Sequence, residues 1–169
     1  SLMFKKTEIV SFTRDLLESF EQQTRVKKLD LKFHTSAPEI EMWIDPKNFD
    51  KIILNLLSNA CKFTPENGQV EISLSTGEDT HLPQNAPLRR YVELTVADSG
   101  IGIASTEREH IFERFYQIRN SQNNSNIGTG IGLHLTRSLV ELHYGNIHVE
   151  DNGEGRPGSR FIIRLPLGN

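Results

Sequence analysis

The order of four short segments constrains this chain more than any other feature of its sequence. Residues 55–63 lie within an apolar helical pattern, and residues 98–102 hold two glycines after an alternating strand. Residues 111–116 contain three aromatic side chains, and residues 128–133 contain three glycines at the start of another helical pattern. Each segment alone is a weak signal of function. Its interpretation depends on the helix, strand or loop in which it lies.

Two long stretches show apolar residues at helical spacing. The first predicts a helix that is capped by Thr7 and ends near Lys28. Its apolar side consists of Ile9, Phe12, Leu16 and Phe20. The second predicts a helix with Asp45 as its N-cap and Pro46 in its first turn, ending near Thr64. Its apolar side consists of Phe49, Ile52, Ile53, Leu56, Leu57 and Ala60. We also predict a short helix over 105–115 and a longer one over 129–143.

Alternation of apolar and polar residues predicts the strands. They cover 29–34, 41–44, 70–74, 91–97, 147–150 and 160–165. The third and fourth read as antiparallel neighbours joined by a long polar loop. This pattern predicts an α+β fold, a two-layer sandwich with helices on one face of a mixed, mostly antiparallel sheet. We expect one domain overall, in which a helix within 1–28 packs on or leads into the body formed by 29–169.

Composition excludes several classes of protein. The net charge of -3 gives no basic field to hold nucleic acid. No apolar run approaches the roughly 20 residues that span a bilayer, and no secretory signal is visible. Cys61 is the only cysteine, so an internal disulfide cannot form, and we expect the thiol to pack in its helix rather than react.

Two amides and a lysine lie close together on the second helix. Asn55 and Asn59 are four residues apart, so both project from one side, and Lys62 leans the same way. The amides either hydrogen-bond to neighbouring backbone or offer oxygens to a hard cation such as Mg²⁺, which favours oxygen ligands. The lysine either neutralises phosphate or is simply a solvated helix end.

The segments after the helix suit a nucleotide base and its phosphates. Asp98 ends a strand and can accept from an exocyclic amine, while Gly100 and Gly102 let backbone approach a flat base; the alternative is a common turn. The run 128–132 before a helix exposes N–H groups that suit phosphate, unless it is a plain turn. It matches neither a Walker loop nor a Rossmann loop. The polar stretch 119–127 predicts a mobile loop.

In this order the four segments resemble the N, G1, F and G2 boxes of the ATP-binding domain of sensor histidine kinases. That family belongs with gyrase-type, MutL-type and heat-shock-chaperone ATPases. The resemblance runs from about Glu8 to Leu167. It implies a Bergerat-type fold with an ATP lid, ATP and Mg²⁺ as cofactors, and a bacterial two-component kinase as the parent protein.

The resemblance also implies roles for individual residues. Asn59 would be the Mg²⁺ ligand, and Asn55 would support the metal's water shell or the phosphates. Lys62 would neutralise phosphate charge, Phe63 would lie beside adenine, and Asp98 would accept from adenine N6. The other implied nucleotide-binding residues are Gly100, Gly102, Phe115, Arg119, Gly128, Thr129, Gly130, Gly132, Leu133 and Ser159, the last through a water.

One position bears on the type of reaction. Hydrolysing relatives carry a glutamate where Asn55 stands, and an amide cannot serve as a general base at neutral pH.

Phe112 and Phe115 read as packing anchors that, by resemblance, fix the hinge of the lid. Gln117 departs from the family, many members of which carry an arginine that reaches the terminal phosphate; Arg119 is placed to compensate.

The phosphoacceptor histidine is not expected within this sequence. None of the six histidines is followed by an acidic residue and then a nearby proline, as the family's acceptor is, so we read all six as surface or packing residues. The resemblance implies two partners: a dimerising helical domain that carries the acceptor, and a response regulator receiver domain downstream. We expect no nucleic acid and no direct membrane contact for this stretch, which would be cytoplasmic, with the whole protein anchored in the inner membrane.

Three functions remain open from the sequence. The first is a kinase domain that positions Mg-ATP for transfer of the γ-phosphoryl group to that histidine; alone, it would not phosphorylate itself. The second is an ATP-binding scaffold for docking or regulation, for which Gln117 is the only support. The third is a serine kinase of a regulatory protein on the same fold.

Overall fold

The computed structural model describes residues 2–116, 132–153 and 155–168. Its strands are β1 (Lys5–Glu8), β2 (Asp30–Thr35), β3 (Glu41–Ile44), β4 (Gln69–Glu78), β5 (Arg90–Asp98), β6 (Asn146–Asp151) and β7 (Ser159–Pro166). Its helices are α1 (Ile9–Val26), α2 (Pro46–Phe63) and α3 (Gly132–Leu142). All of the strands predicted from alternation are present.

A mixed five-stranded sheet forms one layer of the molecule. Its strand order is β2-β4-β5-β7-β6, with β2 parallel to β4 and every other pair antiparallel. Strand β5 alternates between half-buried and buried side chains, as a sheet with one covered face requires. Helices α1, α2 and α3 contact β2, β5 and β6 respectively. The predicted α+β sandwich is therefore confirmed.

Helix α2 lies at the centre of the apolar core. Asp45 caps its N-terminus by accepting from the amides of Lys47 and Asn48, and Pro46 occupies the first turn. The C-cap is Thr64, whose hydroxyl donates to the carbonyl of Ala60. The six apolar residues predicted for its inner side are all buried. Both ends of the helix are thus fixed by local sequence, which sets the position of its polar residues.

Two local expectations were wrong. Glu8 rather than Thr7 caps α1, because residues 5–8 form β1 and pair with β3, which the sequence did not predict. The segment 105–115 forms a series of turns rather than a helix. Its backbone hydrogen bonds mostly join residues three apart, as from His110 N–H to the carbonyl of Glu107 at 2.9 Å. Among the described residues, no helix is long and apolar enough to cross a membrane.

Candidate functional site

The two amides of α2 are half-buried near the C-terminal half of the helix. Within the described part of the chain, neither Asn55 nor Asn59 has a side-chain hydrogen-bond partner. Lys62 is exposed one turn further on. Two unpaired amides on one side of a buried helix keep oxygens available for an external cation, its waters or a polar ligand. Within the described residues, therefore, neither amide hydrogen-bonds to the neighbouring backbone, which was the alternative to ligand binding.

Asp98 is the buried carboxylate at the end of β5, with 3% of its surface exposed. Its Oδ1 accepts from the Gly100 amide at 2.9 Å and from the Ser159 amide at 3.4 Å. Its Oδ2 accepts from the Ser159 hydroxyl at 2.9 Å. Burial raises the pKa of Asp98, and the hydrogen bonds from Gly100 and Ser159 only partly offset it. The second oxygen retains acceptor capacity, since a carboxylate offers about four lone-pair positions.

Glycine backbone closes the space between α2 and the end of β5. A side chain at Gly100 would lie 2.2 Å from the carbonyl oxygen of Phe63, at the last residue of α2. One at Gly158 would lie 1.8 Å from the carbonyl oxygen of Asp98, and Gly158 has φ +103°. These contacts bring the end of the amide-bearing helix directly against the turn that carries Asp98.

A buried histidine joins the other end of α2 to α3. His143 Nε2 accepts from the backbone amide of Asp45 at 3.1 Å, and its Nδ1 lies 2.8 Å from the carbonyl of Leu139, to which it donates. Helix α3 also packs along α2. Because α3 ends where α2 begins and has 11 residues, its first turn lies about 16 Å away, toward the half of α2 that carries Asn59.

The aromatic segment before the lid is anchored by one phenylalanine, not two. Phe112 is buried and packs edge-to-face on Phe161 of β7, with ring centroids 6.1 Å apart. Phe115 is 62% exposed and has φ +66°, so the expectation that it is a packing anchor was wrong. The guanidinium of Arg114 lies over the exposed ring of Phe115, 5.0 Å from its centroid.

Several predicted site residues lie outside the described part of the chain. These are Gln117, Arg119, Gly128, Thr129 and Gly130. Of the glycine run, Gly132 is the first residue of α3, and Leu133 packs partly against the core. The Thr136 hydroxyl donates to the Gly132 carbonyl at 2.7 Å within this first turn.

A cavity of about 910 Å³ lies beside the Asp98 turn, between residues 101–108 and the loop that joins β6 to β7. Gly102 and Gly158 line it, and so do the ion pairs Arg108–Asp151 and Arg160–Glu150. Neither Asn55 nor Asn59 reaches its wall. The proposed amide and carboxylate groups therefore do not belong to this cavity.

Sequence reasoning missed one residue next to the buried carboxylate. The Asn152 amide donates to the backbone carbonyl of Asp98 at 2.8 Å. The two positions are 54 residues apart, and Asn152 lies in no motif. The contact becomes visible only in the sheet, where β6 pairs with β7 and β7 pairs with β5. Ser159, which the resemblance places near the base through a water, donates its hydroxyl to Asp98, and its contact with a base stays a prediction.

Comparisons with known proteins agree on one family. A family model described as histidine kinase-, DNA gyrase B- and HSP90-like ATPase matches residues 44–169. The sensor histidine kinase TmoS of Ectopseudomonas mendocina is 36% identical over 98% of this chain, which spans 16% of that protein. The sensor histidine kinase RppB of a Synechocystis strain is 33% identical over 90% of this chain and 31% of its own length. The chain thus spans less than a third of these curated relatives.

Solved structures give the same result over nearly the whole chain. The nucleotide-free catalytic domain of the histidine kinase ThkA superposes with a TM-score of 0.78 at 25% identity, covering 98% of both chains. Full-length ShkA in complex with AMPPNP gives a TM-score of 0.77 at 26% identity, covering 98% of this chain and 31% of that one. ThkA in complex with the response regulator TrrA gives 0.74 at 26% identity, over 98% and 42%.

Proposed function

Because this chain belongs to the histidine kinase-, DNA gyrase B- and HSP90-like ATPases and is the ATP-binding catalytic domain of a histidine kinase, we propose that it positions Mg-ATP for transfer of the γ-phosphoryl group to a histidine. The acceptor histidine would lie on a separate helical domain. The observation that carries this proposal is the contact between the end of α2, the helix that carries both amides, and the turn that follows the buried Asp98 carboxylate.

The described side chains fit both cofactors. Asn59 supplies an amide oxygen of the kind that Mg²⁺ accepts, alongside waters and phosphate oxygens, and Asn55 is placed one turn away to hold those waters. Asp98 supplies an acceptor for the exocyclic amine of adenine. A guanine would present a carbonyl oxygen at that edge, so acceptor would face acceptor and GTP would be rejected. The metal would spread charge on the phosphates during transfer.

Asn55 favours transfer over hydrolysis. Its amide has no proton-accepting group at neutral pH, so the residue cannot deprotonate a water. The chain's own contribution to the reaction is then to bind and orient the nucleotide, and to keep the terminal phosphate for an incoming imidazole nitrogen. Arg119 and the glycine run 128–132 would contact the phosphates in this proposal.

Two partners follow from the proposed reaction. One is the dimerising helical domain with the phosphoacceptor histidine, and the other is a receiver domain that takes the phosphoryl group onward. The structure of ThkA with a response regulator supports a partner of the second class for a related kinase. We also propose that the parent protein is anchored in the inner membrane. This part of the proposal is based on the similarity of the chain to sensor kinases.

A transfer assay in trans tests the proposed function. The chain is mixed with a purified helical phosphoacceptor domain from its own kinase, Mg²⁺ and γ-labelled ATP. We expect label on the acceptor domain only, and we expect that label to be lost in acid, as phosphohistidine is. Asn59→Ala should reduce transfer by at least on the order of 100-fold if it removes a metal ligand, whereas Asn48→Ala on the same helix should leave it unchanged.

Three outcomes would contradict the proposal. Acid-stable label would indicate a serine or threonine acceptor, and label on this chain itself would show that the acceptor lies within it. Transfer that is unaffected by Asn59→Ala would mean that the amide of α2 does not support the metal.

A further inference from the structure

The loop between β6 and β7 is held onto the end of β5 by one side chain. The Asn152 amide nitrogen donates to the carbonyl of Asp98 at 2.8 Å and to the carbonyl of Pro157 at 3.3 Å. The backbone amide of Asn152 also donates to the carbonyl of Gly158 at 3.4 Å. A single residue thus joins both ends of the loop to the strand that ends in the buried carboxylate.

The ends of this loop are also fixed by the pairing of Asp151 with Ser159, but its interior makes few polar contacts with the rest of the described structure. It contains three glycines with positive φ, at positions 153, 155 and 158. The 910 Å³ cavity lies on one side of it and a second cavity, of about 240 Å³ and lined partly by Asn152, lies on another. Glycine tolerates more backbone conformations than any other residue, so bonds such as those made by Asn152 favour the one observed at these positions.

The conformation of the loop affects the orientation of the Asp98 carboxylate. Gly158 lies against the carbonyl of Asp98 so closely that no other residue fits, and Ser159 follows it. The hydroxyl and amide of Ser159 are then the donors that orient the two oxygens of the Asp98 carboxylate. A shift of the loop that displaced Ser159 would leave the carboxylate with the bond from the Gly100 amide and without the two donors from Ser159.

We propose that Asn152 is a positioning residue that makes the nucleotide site selective for a purine with a 6-amino group. It does so by holding Ser159, and through Ser159 the Asp98 carboxylate, in the orientation that accepts from that amine. This inference rests on the proposed function, because it assumes that a nucleotide base meets Asp98. Asn152 itself need not touch the nucleotide.

Calorimetric titration with two nucleotides tests the proposal. The probes are ADP with Mg²⁺ and purine riboside 5′-diphosphate with Mg²⁺, which differ only in the 6-amino group. In Asn152→Ala, the affinity for ADP should fall roughly 2- to 10-fold, the effect of one neutral hydrogen bond. The affinity for the amine-free analogue should change less than twofold. Asn146→Ala, at the exposed start of β6, is the matched control and should alter neither affinity.

The results separate positioning from a merely structural role. Equal losses for the two nucleotides in Asn152→Ala would overturn the proposal, because a general loosening of the site does not distinguish a base with an amine from one without. A parent protein that binds neither nucleotide would overturn the proposed function, and this inference with it. A parent that binds both equally would overturn this inference and the proposed contact between Asp98 and the adenine amine, but would leave the proposed phosphoryl transfer standing.

A measurement on the unaltered chain covers the case in which the variant does not fold. The side-chain NH₂ signals of Asn152 in an amide NMR spectrum should shift on addition of ADP, and should shift much less with the amine-free analogue. Equal shifts with both nucleotides would contradict the coupling between Asn152 and the amine-binding carboxylate.

Discussion

At the scale of single residues, the chain places a carboxylate where its charge is costly. Asp98 is almost fully buried, and burial raises its pKa above the ordinary value of 3.8. Three hydrogen bonds compensate in part, all from Gly100 and Ser159. A buried group that is unfavourable in the ligand-free protein is characteristic of a site whose partner comes from outside.

Asp98→Asn should therefore separate stability from binding. The amide keeps an acceptor for the Gly100 N–H, and the Ser159 hydroxyl can accept from its nitrogen. We expect the variant to unfold in urea at pH 7 with a free energy equal to or above that of the parent, because no charge is buried. ADP affinity should fall on the order of 10- to 100-fold, since a bond to a charged acceptor is lost.

The pH dependence of the free energy of unfolding shows whether the buried charge of Asp98 destabilises the fold. A carboxyl with a raised pKa stabilises the fold below its unfolded value of 3.8, and that contribution is lost as the pH rises through the folded pKa. The parent should lose stability relative to Asp98→Asn over that window. A variant that is much less stable than the parent at pH 7, or that binds ADP normally, would contradict this account.

At the scale of elements, residues near each other in sequence were predictable and long-range pairs were not. Asp45, Pro46 and the apolar side of α2 were read correctly because capping and helical spacing are local signals. The cap of α1 was misassigned because β1 forms only by pairing with β3, about 36 residues further on, and this pairing gives Glu8 an additional donor in the Ile40 amide.

The same reason explains the misses around the candidate site. The segment 105–115 contains good helix formers, yet it forms turns, and it is anchored by the burial of Phe112 against β7. Asn152 has no local signature, since its partner lies on a strand 54 residues earlier. Asn59 and Asp98 could be proposed from the sequence because each lies in a short motif near the end of an element that the sequence predicts well.

Glu8 links α1 to the small sheet, and its contribution should depend on acidity. Burial acts to raise its pKa, but hydrogen bonds from the Ser11 hydroxyl and from the amides of Ile40, Ser11 and Val10 outweigh it and lower the pKa to about 2. The stabilisation is present above the ordinary value of 4.5 and is lost as the pH falls toward about 2.

Glu8→Gln tests this cap. At pH 7 the variant should be less stable than the parent by about 1 kcal/mol, a typical value for a helix cap, as measured by urea unfolding. The difference should shrink between pH 4.5 and about pH 2. Glu18→Gln, at an exposed position of the same helix, should show no such trend. A constant difference across this range would show that the charge of Glu8 is not what stabilises the helix end.

At the scale of the whole molecule, the fold brings the end of α2 against the turn after β5, which lies in a distant part of the chain. The C-terminal end of α2 contacts the Asp98 turn through Phe63 and Gly100, and the His143 junction directs the start of α3 toward the same half of α2. The amides, the carboxylate and the end of the glycine run thus come from three elements of one layered structure. We propose that these groups together bind the nucleotide.

The most direct test is a crystal structure of the chain with Mg²⁺ and a non-hydrolysable ATP analogue. We predict that the metal lies about 2.1 Å from the amide oxygen of Asn59 and that the adenine amine lies within hydrogen-bonding distance of the Asp98 carboxylate. A nucleotide bound in the 910 Å³ cavity between residues 101–108 and the β6–β7 loop, with Asn59 and Asp98 untouched, would contradict this prediction.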